Sequence, residues 1–266
     1  MSRHQASRWL AACLLLILTG CGDKPVRRAQ PLPPPPEPEA QPADSRSRAA
    51  IHTELAATYY ASRQYKVALD ELNEALRVDS GYGPAYNVLG LVQMELKEDG
   101  QAEKNFLQAL RIDPQNSEAN NNYGWFLCTR GRDADSIKYF IAALKNPLYA
   151  TPEKALVNAG ACSRKIGNDQ AGEDYFAKAL AVAPDQPKAL FNLAEMHYQQ
   201  NRLREARTHL NRLMQSSAPT APALWLGVKL ERKLGDRNAE ASYAIQLKNR
   251  FPDAPETKAL QEQKYE

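Results

Sequence analysis

Cysteine and histidine are the residues of this sequence whose side chains could bind a metal or act as nucleophiles. The chain contains four cysteines, Cys13, Cys21, Cys128 and Cys162. No two of them have the C-x-x-C spacing of zinc sites and thioredoxin-like redox sites. The four histidines are isolated, and no H-E-x-x-H, G-x-S-x-G, P-loop or G-x-G-x-x-G motif occurs. The sequence therefore predicts a protein that is not an enzyme and that binds no metal, cofactor or small-molecule substrate.

The surroundings of Cys21 indicate that its chemistry is lipid attachment. A short basic start with Arg3 and Arg8 precedes an apolar run at residues 9–18, which is too short to span a bilayer but suits a signal peptide. The run ends in the letters L-T-G-C, which resemble the lipobox of bacterial lipoproteins. This resemblance implies a signal peptide at 1–20 and acylation of Cys21. The alternative is an ordinary secretory signal followed by a chance cysteine.

Residues 21–48 are expected to form a lipid-anchored tether. The residue after Cys21 is glycine, not the aspartate that typically retains enterobacterial lipoproteins in the inner membrane. The resemblance therefore implies anchoring at the periplasmic face of the outer membrane. The segment 24–48 is polar and rich in proline, which favours an extended, disordered polyproline II chain. At roughly 3.1 Å per residue, such a chain reaches up to about 75 Å from the bilayer.

From residue 49 onward, the sequence repeats with a period of about 34 residues, typical of the tetratricopeptide repeat (TPR) pattern W-x2-L-G-x2-Y, then A-x3-F, then proline. The second unit follows it best, with Tyr86, Leu89, Gly90, Ala102, Phe106, Ala109 and Pro114. We predict an all-α fold, a right-handed α-solenoid with a C-terminal capping helix at 253–266 and six repeats at 49–82, 83–116, 117–150, 153–186, 187–220 and 221–252. The alternative is an irregular helical bundle with accidental periodicity.

Each repeat is expected to be a pair of antiparallel helices that cannot bury its apolar face alone, so that the stack itself is the core. Glycine or alanine lets the second helix approach the first closely. The connection at 146–152, between the third and fourth repeats, is longer by two residues and contains two prolines, which prevent helix continuation. We expect the stack to continue there with a local change in superhelical angle.

Cys128 and Cys162 fall in the first helices of the third and fourth repeats. Adjacent first helices touch in such a stack, so the two Cα atoms are expected within roughly 4.4–6.8 Å, the range of disulfides. An exported protein also faces an oxidising compartment. We predict a Cys128–Cys162 disulfide that joins two repeats across the longer connection. The alternative is a pair of buried free thiols.

The concave face of the solenoid is the expected binding surface, because the first helices line it. The predicted partner-binding residues are Tyr60, Asn87, Leu91, Met94, Asn121, Asn122, Trp125, Asn158, Asn192 and Tyr198. Asparagine recurs at the sixth position of three successive repeats, as Asn122, Asn158 and Asn192. An amide can donate to and accept from a peptide backbone at once, so this ladder is predicted to clamp an extended segment. The alternative is that asparagine is merely tolerated on an exposed helix.

The charge balance gives no electrostatic basis for binding nucleic acid. The formal net charge is +3, and Arg3 and Arg8 belong to the segment predicted to be cleaved, which leaves the remaining chain nearly neutral. The predicted partners are therefore another protein and, through the lipid anchor, a membrane. We expect the protein to be a monomer.

Several segments resemble one family of bacterial envelope proteins. They are N-N-N-Y-G-W-F-L-C at 120–128, R-G-R at 130–132, N-A-G-A-C at 158–162 and S-Y-A-I-Q-L-K at 242–248. With the lipobox and six repeats, they are similar to the type IV pilus biogenesis/stability lipoproteins, the pilotins of the PilF/PilW type. The resemblance implies a lipoprotein that binds the type IV pilus secretin and promotes its outer-membrane localisation and multimerisation, supporting pilus biogenesis and twitching motility. The alternative is another periplasmic TPR adaptor, for β-barrel assembly or peptidoglycan hydrolases.

Overall fold

The computed structural model describes residues 42–265, and the regular secondary structure of this range is helical throughout. Its thirteen helices are α1 (Pro42–Ala61), α2 (Tyr65–Val78), α3 (Gly83–Glu95), α4 (Asp99–Ile112), α5 (Ser117–Thr129), α6 (Asp133–Leu144), α7 (Pro152–Lys165), α8 (Asp169–Val182), α9 (Pro187–Gln199), α10 (Leu203–Ser216), α11 (Ala221–Leu234), α12 (Arg237–Arg250) and α13 (Pro255–Gln261). Consecutive helices from α1 to α12 pack as six pairs, and α13 covers the last pair. The predicted all-α TPR fold is confirmed. The signal peptide, Cys21 and the linker up to residue 41 lie outside the described residues.

The first helix begins earlier than the predicted start of the repeats. Residues 42–48, assigned from their composition to the extended linker, are helical. Proline is tolerated in a first helical turn, where its missing N–H has no intrahelical partner, and Asp44 suits the positive end of the helix dipole. The guanidinium of Arg46 lies 5.7 Å from the centroid of the Tyr82 ring. The added turns of α1 therefore pack on the chain that leads into α3.

A glycine of the first helix lies against an aromatic ring of the second helix in four of the six repeats. A Cβ would meet the ring at 2.8 Å for Gly90 on Phe106, 2.9 Å for Gly124 on Phe140, 2.7 Å for Gly160 on Phe176 and 2.8 Å for Gly227 on Tyr243. In the other two repeats, a buried alanine accompanies a buried leucine, Ala56 with Leu72 and Ala194 with Leu210. Where the second helix carries leucine instead of an aromatic residue, the first helix carries alanine instead of glycine. This compensation in volume keeps the paired helices close.

The turn between the two helices of every repeat contains one residue with positive φ. Glycine takes this place in three repeats and a residue with a side chain takes it in the other three. The φ angles are 76° at Gly131, 78° at Gly167 and at Gly235, 58° at Arg63, 66° at Lys97 and 59° at Asn201. A left-handed conformation costs an L-residue roughly 1 kcal/mol, so the packing of the helices, not the local residue type, sets this turn.

The longer connection between the third and fourth repeats does not interrupt the core. Tyr149 in this connection is buried in one cluster with Ala143 of α6 and Ala155 of α7. Helices α5 and α7 remain in contact beneath it. The stack therefore continues from the third repeat into the fourth.

The first helices of the six repeats form the inner side of the stack. Each contacts the next, from α1 with α3 to α9 with α11. Within residues 42–265, no second helix packs on the next second helix in this way. The side on which helices lie closer together is the inside of a curved stack, so the first helices line a concave surface. We call this surface the inner face.

Candidate protein-binding site

All residues predicted to bind a partner belong to the first helices, but they differ in accessibility. Partly accessible side chains are those of Tyr60, Leu91, Met94, Asn122, Trp125, Asn158, Asn192 and Tyr198. Asn87 is 8% exposed and Asn121 is 4% exposed, so both are buried against neighbouring helices. These two residues were predicted to contact a partner, and their burial assigns them instead to the contact between repeats.

Four asparagines form a chain of amide hydrogen bonds across the second, third and fourth repeats. Asn158 Nδ2 donates to Asn121 Oδ1 at 3.0 Å, and Asn121 Nδ2 donates to Asn122 Oδ1 at 3.3 Å. Asn122 Nδ2 then donates to Asn87 Oδ1 at 3.1 Å. We call these residues the asparagine chain. Because a buried amide without a partner costs free energy, the two links between helices stabilise the contacts of α5 with α3 and with α7.

The asparagine chain differs from the ladder that the sequence pattern predicted. Asn122 and Asn158 are connected through Asn121 and not directly to each other. Asn192 stands apart, since its amide donates to the Lys188 backbone oxygen at 2.7 Å and accepts from Arg164 at 3.5 Å. An amide has two N–H groups and two lone pairs, so the chain occupies only part of its capacity. The amides therefore connect neighbouring repeats, and only their unused hydrogen-bonding groups are available to a partner.

The inner face of the first three repeats carries four partly accessible apolar or aromatic side chains. We call Tyr60, Leu91, Met94 and Trp125 the apolar surface. Leu91 and Met94 pack on the buried cluster around Phe106, which leaves their outer sides accessible. Burial, followed by the negative charge of Glu95, raises the pKa of the Tyr60 hydroxyl, so this residue stays neutral. Such a surface provides pockets for apolar side chains of an extended segment.

A disulfide joins Cys128 of α5 to Cys162 of α7 directly behind this surface. Their Cα atoms are 5.9 Å apart, and both residues are buried. Trp125 packs against the same cluster. Lys165 Nζ donates to the Cys128 backbone oxygen at 2.6 Å and lies 3.0 Å from Asp133 Oδ1. The third and fourth repeats are thus connected by a covalent bond and by a lysine that bridges both.

The inner face of the last two repeats carries positive charge beside aromatic rings. Lys233 Nζ lies 4.1 Å from the Tyr198 ring centroid, and Lys229 Nζ lies 5.4 Å from that centroid and 5.8 Å from that of Trp225. We call these four residues the basic–aromatic cluster. Trp225 also stacks on Tyr265, with centroids 5.6 Å apart. The two halves of the inner face therefore present different chemistry to a partner.

Three contacts between repeats use opposite charges that are 29 residues apart. Glu103 accepts from Arg132 at 2.6 Å, Glu173 accepts from Arg202 at 2.8 Å, and Asp236 accepts from Arg207 at 2.7 Å. The polar group that joins each pair comes from a first helix: it is Tyr123, His197 and Glu231, respectively. Sequence inspection missed these residues, although the constant spacing is a signal that would have found them.

The buried members of these contacts stabilise the fold by joining neighbouring repeats. A hydrogen bond from Tyr123 and then one from Arg132 lower the pKa of the Glu103 carboxyl. Glu231 is 1% exposed, and burial raises the pKa of its carboxyl. His197 is 3% exposed and is therefore also buried.

Residues 42–265 contain no group of three or more histidine, cysteine or acidic side chains placed to hold a metal ion. In the same range, no helix has both the length and the apolar character to cross a membrane. What the described part of the chain offers is the inner face, with its apolar surface and its basic–aromatic cluster.

Comparison with known proteins agrees with this architecture. Models of the tetratricopeptide repeat match residues 53–117, 105–138 and 168–227. The type IV pilus assembly protein PilF of Pseudomonas aeruginosa is 28% identical over 193 residues, which cover 73% of this chain and 77% of that protein.

Two solved structures match most of the chain. That of PilF from Pseudomonas aeruginosa has a TM-score of 0.74 and 26% identity, and it covers 82% of this chain and 99% of the matched chain. That of PilW, a widely conserved type IV pilus biogenesis factor, has a TM-score of 0.73 and 35% identity, and it covers 80% of this chain and 98% of the matched chain. The chain therefore belongs to the family of tetratricopeptide-repeat proteins of type IV pilus biogenesis that includes PilF and PilW.

Proposed function

We propose that this protein is an outer-membrane pilotin, a lipoprotein that binds the type IV pilus secretin and promotes its localisation and multimerisation. The observation that carries the proposal is the apolar surface on the inner face of the first three repeats. An accessible apolar surface on a rigid repeat scaffold is a site for another protein, because no other element of residues 42–265 covers it. Membership of a pilus biogenesis family supports a partner in the pilus machinery.

The membrane half of the proposal depends on Cys21. Acyl chains on this residue would hold the TPR domain at the outer membrane, and stable anchoring requires more than one chain. Mass spectrometry of protein from the cell envelope should find residues 1–20 removed and Cys21 carrying acyl groups. Cys21→Ser should release the protein from the outer-membrane fraction, whereas Cys13→Ser should leave it there. Retention of the Cys21→Ser protein would contradict the anchor.

The partner half of the proposal is tested in a deletion strain. Removal of the gene should abolish detergent-resistant secretin multimers in outer membranes, and the wild-type gene should restore them. Normal multimers in the deletion strain would end the pilotin proposal. Co-purification of a β-barrel assembly or peptidoglycan hydrolase component without the secretin would favour an adaptor function.

The apolar surface itself is tested by introducing negative charges into it. Leu91→Glu and Trp125→Glu together should abolish secretin capture from detergent-solubilised envelopes, because two carboxylates would be desolvated on binding. The matched control is Leu107→Glu with Ile141→Glu, which changes accessible apolar residues of the second helices. Circular dichroism should show unchanged helicity in both variants. Equal capture by both would refute the assignment of this surface.

A further inference from the structure

We infer that the inner face of the fifth and sixth repeats is a second recognition surface, and that its ligand is an extended acidic protein segment. The segment carries a large apolar side chain about three residues from a carboxylate. This inference rests on the proposed function in one respect, that the segment belongs to the protein partner held by the apolar surface. It adds the chemistry of a part of that partner which the apolar surface does not contact.

The first step is the charge of the basic–aromatic cluster. Within residues 42–265, neither Lys229 nor Lys233 has a carboxylate oxygen within 4.0 Å of its Nζ. The rings of Tyr198 and Trp225 hold both ammonium groups in place. A lysine that is positioned by a ring and has no acidic partner is ready to receive a carboxylate, because little side-chain freedom remains to be lost on binding.

The second step is that the acidic side chains around this cluster are occupied. Glu195 Oε2 lies 3.2 Å from Arg164 Nη1, Glu231 Oε1 lies 2.9 Å from Arg207 Nε, and Glu240 Oε1 lies 3.0 Å from Arg232 Nη1. These carboxylates are therefore neutralised by arginines. Within residues 42–265, no ion pair compensates the positive charge of the cluster, which therefore attracts an acidic ligand.

The third step is an apolar cavity of about 320 Å³ on the same two repeats. Among the side chains that line it are those of Pro187, Phe191, Leu213, Pro219, Pro222 and Ala223. This volume lies at the lower end of the range of ligand pockets and suits one large apolar side chain. The cavity is open to solvent and lies toward the N-terminal ends of α9 and α11, whereas Tyr198, Lys229 and Lys233 of the cluster lie toward their C-terminal ends.

The spacing of the cavity and the cluster sets the spacing in the ligand. On α9, Phe191 of the cavity precedes Tyr198 of the cluster by seven residues, and on α11 Pro222 precedes Lys229 by the same interval. Seven residues of helix rise roughly 10 Å. An extended chain covers that distance in about three residues. A leucine or aromatic residue in the cavity therefore places an acidic residue three positions away at the lysines.

The test uses the purified full-length protein in detergent and a fluorescently labelled peptide, Glu-Ser-Ser-Leu-Ser-Ser-Glu. Because it has an acid on each side of the leucine, this probe serves either chain direction. Anisotropy titration should show saturable binding that weakens as salt is raised, since screening reduces the attraction of the exposed charges. Replacing both glutamates by glutamine, or the leucine by serine, should each weaken binding about tenfold.

The variants localise the binding to the cluster. Lys229→Gln with Lys233→Gln should weaken binding of the acidic peptide about tenfold. Lys229→Arg with Lys233→Arg should bind it about as tightly as the wild type. The matched control is Lys138→Gln with Lys178→Gln, because these lysines also lie over tyrosine rings but on second helices. The control should bind with unchanged affinity. Equal affinity of the two glutamine variants, or no binding by the wild-type protein, would overturn the inference.

The peptide assay contains no secretin, so its outcome is separable from that of the proposed function. If the protein captures the secretin but the peptide does not distinguish the variants, the second recognition surface is refuted and the pilotin proposal stands. If the peptide distinguishes them and the secretin is not captured, the surface stands and its partner is a different acidic protein.

Discussion

The middle repeats and the last repeats of this protein share one backbone plan but are joined by different side-chain chemistry. The third and fourth repeats are connected by the Cys128–Cys162 disulfide and the asparagine chain. The fifth and sixth repeats are connected by Arg207, which binds Glu231 and Asp236. Inside each repeat, the pairing of a small residue with a large one determines how closely the two helices pack. The connection between neighbouring repeats can instead be covalent, neutral or ionic. Reductant should therefore weaken one region and changes in pH the other.

The largest expected effect comes from removing the covalent tie. Cys128→Ser with Cys162→Ser should lower the free energy of unfolding by about 3–4 kcal/mol. The reason is that the unfolded chain is no longer restrained by a disulfide between residues 34 positions apart. Urea unfolding followed by circular dichroism measures this loss. Reductant should destabilise the wild-type protein by a similar amount and leave the double variant unchanged. An unaffected midpoint in reduced wild-type protein would contradict the expectation.

Breaking the ionic tie should cost nearly as much. Arg207→Ala leaves Glu231 buried without its cation, which should lower the free energy of unfolding by about 3 kcal/mol at pH 7. Arg204→Ala is the matched control, since Arg204 is exposed on the same helix and forms no ion pair within residues 42–265. Its midpoint in urea should stay near that of the wild type.

The ionic tie also gives a pH dependence with a defined sign. Burial raises the pKa of the Glu231 carboxyl, and the positive charge of Arg207 opposes that rise. In Arg207→Ala, the folded state therefore binds the proton more readily than the unfolded state does. Its stability should increase as pH falls from 7 toward the ordinary glutamate pKa of about 4.3. If the stability of Arg207→Ala instead fell on acidification over this range, the pairing of Arg207 with a buried Glu231 would be contradicted.

A smaller effect is expected inside a repeat, where both regions follow the same rule. Gly160→Ala should lower the free energy of unfolding by about 2 kcal/mol, because the added methyl group would lie 2.7 Å from the Phe176 ring. Combining it with Phe176→Leu recreates the alanine and leucine pairing of the first and fifth repeats. The double variant should be more stable than the sum of the two single changes predicts. Strict additivity in thermal unfolding would show that the size pairing does not matter.

The smallest effect concerns the turn within a repeat. Lys97 has φ of 66°, and Lys97→Gly should stabilise the protein by about 0.5 kcal/mol because glycine adopts this conformation without a steric penalty. Gly131→Ala, at the same place in the third repeat, should destabilise the protein by about 1 kcal/mol. Changes of the same sign in both variants would contradict a common turn geometry.

The repeat pattern predicted the fold well because it records contacts inside each repeat. Gly90 and Phe106 are spaced as the two helices of one TPR require, and their contact is local in sequence. The start of α1 was placed too late because composition near the proline-rich segment outweighed helix-forming residues in the range 42–48. Composition describes an average over a window, whereas a helix boundary depends on single contacts such as that of Arg46 with Tyr82.

By itself, the sequence determined the number of repeats, the helix pairing and the identity of the face that first helices line. These follow from the spacing of small and large residues, which depends on helix geometry alone. The tertiary structure decided which asparagines meet, that Asn87 and Asn121 are buried, and that Lys229 and Lys233 lie over aromatic rings. Such contacts join side chains from neighbouring repeats, and they depend on the angle and distance between repeats, which periodicity does not specify.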